Sequence, residues 1–411
     1  MFEALAVRNF RYLWGGRVVS QLGSWLLVVA IPAHVFAVTG SLLATGLTLV
    51  AEYLPPLVVG PVGGVLADRW DRRRVMITAD LFRDAAVALM VFAATGQALW
   101  LLYVALVAES TGSVLFRPAA QALTPVVVGT GTGLSSANSL NAFTDGTVRL
   151  VGPPLGVALL TVTSFPVLIT VDVASYLVSA AAIAMTSVAS RPDRERRPIL
   201  RAVFGELADG LRVLRGLPMA LVLLPLTAVF LAANASPSAL LVPFGVRRLG
   251  GSEQIGLVVS ALGVGFLLGA VGIRKLVDHV QPRYLLAAAQ LTTAVGFFVL
   301  FSSESLVVAI PAAVGIGVFG SMTLVIPQTV LQRVVPNDVL GRISSIFFAA
   351  EALATLLGAL AGPLLAERLS LFSAAVWACV VTVAGALAGV VMVPMLHKPW
   401  RGSGSLEGAE P

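Results

Sequence analysis

Charge is what this chain of 411 residues has least of. Only 12% of its residues are Asp, Glu, Lys or Arg, about half of the roughly 25% usual in soluble globular proteins. Hydrophobic residues make up 57%, and the mean hydropathy is +0.93. A water-soluble fold of that composition would leave large apolar patches exposed and would aggregate, so a soluble enzyme is excluded first. The single cysteine, Cys379, rules out an internal disulfide and a thiolate metal cluster. The three histidines, His34, His279 and His397, lie far apart, so no metal site is expected, and no cofactor. Neither lysine, Lys275 nor Lys398, follows a glycine. A phosphate-gripping Gly-Lys-Ser/Thr loop is therefore missing, and energy must come from an ion gradient, a substrate gradient or another subunit.

What the chain has instead is long apolar runs. A helix needs about 20 mostly apolar residues to cross a bilayer, and the pattern predicts twelve, over 12–37, 42–67, 75–95, 98–119, 136–161, 166–189, 218–243, 254–276, 283–302, 305–328, 342–366 and 370–396. The expected fold class is thus an all-α integral membrane protein with twelve transmembrane helices in two six-helix halves. The first half covers 1–190, a connector 191–216, the second half 217–398, and a flexible Gly/Ser-rich tail 399–411. The first apolar stretch reads as a retained helix and not as a cleaved signal.

The basic residues set the orientation. With both termini in the cytoplasm, 21 of the 27 Lys and Arg fall on that side, seven of them in the connector. The opposite side holds only Arg247, Arg248 and Arg368, which is the positive-inside pattern. A net charge of +6 spread over short loops is a poor fit to nucleic-acid binding. A repeat is visible about 209 residues along: Pro118 corresponds to Pro327, Gly60 and Gly63 to Gly269 and Gly272, and, one residue further, Gly152-Pro153 to Gly362-Pro363.

Three motifs narrow the reading. The second-to-third loop runs Gly64-Val-Leu-Ala-Asp68-Arg69-Trp-Asp71-Arg72-Arg73-Arg74. It resembles the loop signature of the major facilitator superfamily, with Asp71 in place of the usual second glycine. The opening Arg8-Asn-Phe-Arg11-Tyr-Leu-Trp, Phe116-Arg117-Pro118 and Val335-Pro336-Asn337-Asp338 look like the branch that contains bacterial macrolide exporters and the enterobactin exporter. The stretch Asp145-Gly-Thr-Val-Arg149-Leu-Val-Gly152-Pro153-Pro154-Leu-Gly156 is similar to the Gly-Pro motif of antiporters in that superfamily.

The resemblance implies a bacterial cytoplasmic-membrane transporter that exports lipophilic drugs or natural products against protons, by alternating access. It implies a cytoplasmic gate latch of Asp68, Arg69, Arg72 and Arg73, with Asp68 facing the start of the eleventh helix near Arg342. It also implies hinges at Gly152, Pro153, Gly156, Gly362 and Pro363. Ionisable residues at membrane depth are costly and usually functional. Proton coupling is expected at Asp145, Glu52 and Glu109, with Arg149 and Arg17 as charge partners. Asp145 and Arg149, four apart on one helix face, form either part of that machinery or a permanent pair that fixes helix register. Asp172 in the sixth helix is a further candidate, while Asp80, Arg83 and Asp84 read as structural interface pairing. Gln21, Asn234, Gln290, Gln328 and Glu351 are candidate substrate contacts in a broad apolar cavity. The expected partners are a lipophilic or amphipathic small molecule, protons and lipid, with a monomer as the working unit. A siderophore or own-metabolite exporter uses the same machinery, and a non-transporting membrane sensor or scaffold is the reading of another class. The glycines of Gly315-Ile-Gly317-Val-Phe-Gly320, although spaced like a nucleotide loop, read as tight helix packing.

Overall fold

A computed structural model describes residues 3–96, 98–129, 132–187, 212–276, 279–335 and 337–393. Most of the connector and the tail from 394 onward lie outside the described residues. So do the side chains of 61–69, 274–276 and 337–342, among a few others. Among the described residues there are twelve long helices and no strand. They are α1 (Arg8–Thr39), α2 (Leu42–Arg69), α3 (Arg72–Gly96), α4 (Leu99–Val128), α5 (Thr132–Val162), α6 (Phe165–Ala184), α7 (Pro218–Arg248), α8 (Ser252–Leu276), α9 (Pro282–Ser302), α10 (Leu306–Val334), α11 (Asn337–Arg368) and α12 (Leu371–Met392).

Ten of these carry a stretch long and apolar enough to cross a membrane. The two others are diluted locally. The first half of α3 holds Arg72, Arg73, Arg74, Asp80, Arg83 and Asp84, and the first half of α5 is rich in Ser, Thr and Asn.

Local chemistry sets the helix ends. Gly40 terminates α1 with φ 63°, a left-handed turn that suits glycine, and its N–H donates to the Phe36 carbonyl at 2.8 Å. The Ser370 hydroxyl caps α12 by accepting from the Ser373 N–H at 3.0 Å. Asp71, the residue that departs from the loop signature, caps α3 in the same way. Its Oδ1 accepts from the Arg74 N–H at 2.8 Å.

Two helices outrun their expected spans. α4 continues to Val128 through Pro118 and Pro125, and α10 continues to Val334 through Pro327. A proline ends many soluble helices. In a bilayer, leaving the helix would expose more unpaired backbone than staying in it, so the helix runs on.

The packing repeats itself. In the first half α1 lies against α5 and α6, α3 against α4 and α6, and α2 against α4. In the second, α7 lies against α11 and α12, α9 against α10 and α12, and α8 against α10. Each second-half pair is a first-half pair moved on by six helices. The halves meet through α2 against α11 and α5 against α8, which are again the same pair with the halves exchanged.

Glycines set the close approaches. A Cβ on Gly156 would overlap the Leu26 carbonyl of α1, and one on Gly358 would overlap the Ala232 carbonyl of α7. Of the three glycines in the nucleotide-like string, only Gly317 is pressed against a neighbour, Leu262 and Phe266 of α8. Gly315 and Gly320 face open space.

At the end of the bundle where α1 passes to α2, an apolar core joins the halves. Val29, Phe36 and Leu42 pack there with Leu240, Leu241 and Phe244 of α7 and Phe301 of α9. At the same end the Glu367 carboxylate of α11 accepts from the Leu43 N–H at 3.0 Å and the Ser41 hydroxyl at 3.2 Å. It thereby caps the first turn of α2 from across the interface.

Candidate functional site

The seam between α1 and α5 carries an ion pair. The Arg17 guanidinium donates to both oxygens of Asp145, at 2.8 and 2.9 Å, and the Gln21 amide adds a third bond at 3.0 Å. Arg17 and Gln21 are one turn apart on α1, so both reach the same carboxylate. The side chains keep 27% and 46% of their exposure respectively for Arg17 and Asp145, so the pair is open to a proton or a solute. On either side of it the seam is tightly fitted. The Trp14 indole N–H donates to the Thr144 hydroxyl at 3.0 Å, and Gly152 and Gly156 press on Trp25 and Leu26.

Arg149 does not take part in this pair. The expected contact one turn along α5 is absent among the described bonds, and Arg17 and Gln21 hold Asp145 in its place. Arg149 instead lies over Trp25 of α1 at 5.3 Å and Phe266 of α8 at 5.0 Å. That placement ties α5 and α1 to the other half of the molecule by cation–π contacts.

The loop arginines act inside the first half. Arg72 donates to the Ala122 carbonyl of α4 at 3.0 Å, and Arg73 to the Ile183 and Ala184 carbonyls that end α6. Arg73 binds the helix-terminal carbonyls of α6, where positive charge is favoured, and neither arginine makes a described bond to the second half. Asp68, Arg69 and Arg342 have side chains outside the described residues.

The candidate substrate contacts are not gathered together. Gln21 holds Asp145, with its own Oε1 unpaired. Gln328 is exposed on α10, and Glu351 is half-buried on α11. Gln290, expected in an open cavity, is only 1% exposed, with its Nε2 unpaired among second-half helices. Asn234 lines a narrow crevice with Phe230, Thr293, Phe297, Cys379 and Thr382, and its Oδ1 is likewise unpaired. Cys379 is buried there, its thiol against the Ala294 carbonyl. His34 stacks on Phe165 at 4.2 Å.

Glu52 and Glu109 sit apart from Asp145. Glu52 is exposed on α2, where its carbonyl accepts from the Ser110 hydroxyl at 2.6 Å. The Glu109 carboxylate accepts from Tyr176 at 2.8 Å and Ser113 at 2.9 Å. The Tyr176 hydroxyl meets Ser24 at 2.8 Å, and Ser24 lies 3.5 Å from Asp172. Asp80 pairs with Arg83 and accepts from Ser179 at 2.7 Å. Arg83 stacks on Phe116 and Tyr176. Tyr176 and Ser24 escaped the sequence reading. The legible signal was the polar stripe Asp172, Ser175, Tyr176 and Ser179 on otherwise apolar α6, whose spacing places all four on one face. Among the described residues no three His, Cys, Asp or Glu side chains come together as a metal site would require.

Comparison with known proteins places this arrangement. Macrolide efflux protein A of Streptococcus pyogenes is 26% identical over 374 residues, 88% of this chain and 90% of that one. The multidrug efflux pump Tap of Mycolicibacterium fortuitum is 26% identical, over 83% of this chain and 85% of its own. A D-xylose–proton symporter of known structure superposes with a TM-score of 0.69 at 15% identity, covering 95% of this chain and 97% of that chain. This last likeness concerns the fold alone. The family model described as transmembrane secretion effector matches residues 1–399. The chain therefore belongs to the transmembrane secretion effectors of the major facilitator superfamily, a family of membrane transporters.

Proposed function

We propose that the protein is a secondary active exporter of lipophilic or amphipathic small molecules, drugs or natural products, driven by proton antiport. Two six-helix halves, 1–190 and 217–398, rock about a site near the midplane, joined by the cytoplasmic connector 191–216 and followed by the tail 399–411. Both termini lie in the cytoplasm, and all twelve helices span the membrane. The efflux names of relatives over more than four-fifths of the chain support the direction of transport. The monomer is the working unit.

One observation carries the reading: Asp145 is a half-exposed carboxylate, held by Arg17 and Gln21 in the middle of α5. A proton on Asp145 cancels its charge and releases Arg17. The α1–α5 seam then loses its strongest bond, about two to three turns from the Gly152 and Gly156 contacts. Release at that seam loosens α5, which also packs on α8 of the other half. Proton uptake is thereby converted into relative movement of the halves. Glu52 and Glu109 extend the route for protons within the first half.

The test is uptake of ethidium into inside-out proteoliposomes under an imposed pH gradient, comparing wild type with Asp145→Asn. Uptake that a protonophore abolishes, and that the variant lacks, is the expected result. Wild-type uptake retained in the variant would return Asp145 to a structural role. Folded wild-type protein that takes up no dye would sink the drug-export reading and turn the search to siderophores.

A further inference from the structure

We propose that Glu109 and Asp172 share one proton through the hydroxyls of Tyr176 and Ser24, forming a second proton site inside the first half and separate from Asp145. Its use in transport rests on the antiport reading above; the site itself does not.

Charge balance is the first argument. Asp172 is 1% exposed and Asp80 is fully buried. The buried cation among them, Arg83, pairs directly with Asp80, and its other nitrogen donates to the Ser113 hydroxyl at 3.3 Å. Glu109 and Asp172 are left with hydroxyl partners only, from Tyr176 and Ser113 on one side and Ser175 and Ser24 on the other. Asp172, almost wholly buried and with no cation bonded to it, is costly to ionise beside the half-buried Glu109 carboxylate, so the two carry one proton between them.

The second argument is connectivity. With the proton on Asp172, its O–H donates to Ser24, Ser24 to Tyr176, and Tyr176 to the Glu109 carboxylate. With the proton on Glu109, every donor turns round. Each hydroxyl gains one proton and gives one up, so no atom is left over. Glu52 is exposed on α2, and its backbone carbonyl accepts from Ser110, the neighbour of Glu109 on α4, at 2.6 Å.

Every element packed on Asp172 fits this picture. From α1 come Ser24 and Gly23, from α3 Asp80 and Arg83, from α4 Glu109, and from α6 itself Ser175 and Tyr176. On α5, Asp145 is turned to Arg17, and Arg149 to Trp25 and Phe266. Gly23 is a cradle: a Cβ there would collide with the Ser175 hydroxyl and Asp172 Oδ1, so the carboxylate lies directly on the α1 backbone.

The other half supplies the internal control. With the step from Gly152 to Gly362, one residue more than that from Gly60 to Gly269 and from Pro118 to Pro327, Ser24, Arg83 and Asp172 stand opposite Asn234, Thr293 and Thr382. Asn234, Thr293 and Thr382 do line one crevice, so the correspondence holds in space. Neutral groups suffice to pack that position in the second half, and packing alone does not explain the Asp172 carboxylate in the first.

The test is infrared difference spectroscopy of the purified full-length protein at neutral pH, with no ligand, on wild type, Asp172→Asn and Tyr176→Phe. Wild type is expected to show the C=O stretch of a protonated carboxyl. Asp172→Asn should remove it, and Tyr176→Phe, which keeps the ring under Arg83, should shift it. A band unchanged in both variants overturns the site. A band lost in Asp172→Asn but unshifted in Tyr176→Phe overturns the shared proton. If Asp172→Asn does not fold, Tyr176→Phe decides alone. Wild type that shows the band yet takes up no ethidium under a pH gradient supports the site and sinks only antiport.

Discussion

Arg149 holds its guanidinium over two aromatic rings on different helices, Trp25 and Phe266. A lysine could keep the charge but not the flat stacking surface. Arg149→Lys is therefore expected to lose about 1 kcal/mol of contact between the halves, cutting dye uptake roughly fivefold while leaving the melting temperature near that of wild type. Uptake at the wild-type rate in this variant would mean that charge alone suffices. Reading the sequence placed Arg149 beside Asp145 because helix spacing reveals partners on the same helix and no others. Arg17, the other charge partner named from the sequence, is the one bonded to Asp145, but it lies 128 residues away and helix spacing alone could not choose it over Arg149. Asp71 shows the opposite case. Its departure from the loop signature has a local reason, a cap on α3, and such caps are legible from sequence. Asp71→Ala should destabilise the protein by about 1 kcal/mol, read as a lower unfolding midpoint in detergent.

Helix spans were legible to within a few residues because a bilayer imposes length and apolarity together. α4 outran its expected end at 119, through Pro125, because leaving the helix inside a bilayer would expose backbone that no solvent satisfies. Between helices, close approach is the decisive variable. Gly156→Val would drive a branched side chain into the Leu26 carbonyl. A loss of about 1–3 kcal/mol is expected, with Leu155→Val, at an exposed neighbour, as the control in the same thermal melt. At the α1–α2 end, the cap that Glu367 places on α2 crosses the interface. Removing it by Glu367→Ala should open that end more often. The measurement is faster maleimide labelling of a Leu43→Cys reporter in a Cys379→Ser background, and an unchanged rate would show that the apolar core alone holds it shut.

On the scale of the whole molecule, the two halves share a packing plan and differ in chemistry. The ionisable groups at depth gather in α1 to α6, and their counterparts in α7 to α12 are mostly small and neutral. The repeat was visible in glycine and proline positions, which the shared geometry preserves. The asymmetry was visible too, as the placement of acids, but its wiring through Tyr176 and Ser24 was not. A reporter fused after Pro411 should be active in the cytoplasm of intact cells, and activity only on the outer face would reverse the orientation drawn from the arginines.

Helix length divides the molecule in a further way. α6, α9 and α12 have 20, 21 and 22 residues and, among the described residues, pack chiefly on their own half. Each is about 30–33 Å long, the thickness of a bilayer's hydrocarbon core. α1, α5, α7 and α11, which pack at the centre, have 31 or 32 residues and reach about 47 Å. Hydrophobic mismatch is therefore felt at the rim and not in the middle. A thicker membrane must thin itself against the short outer helices, or tilt them less, while the long inner ones still have turns to spare on both sides. Lipid composition thus acts on this transporter through its rim helices, among them α6, which carries Asp172.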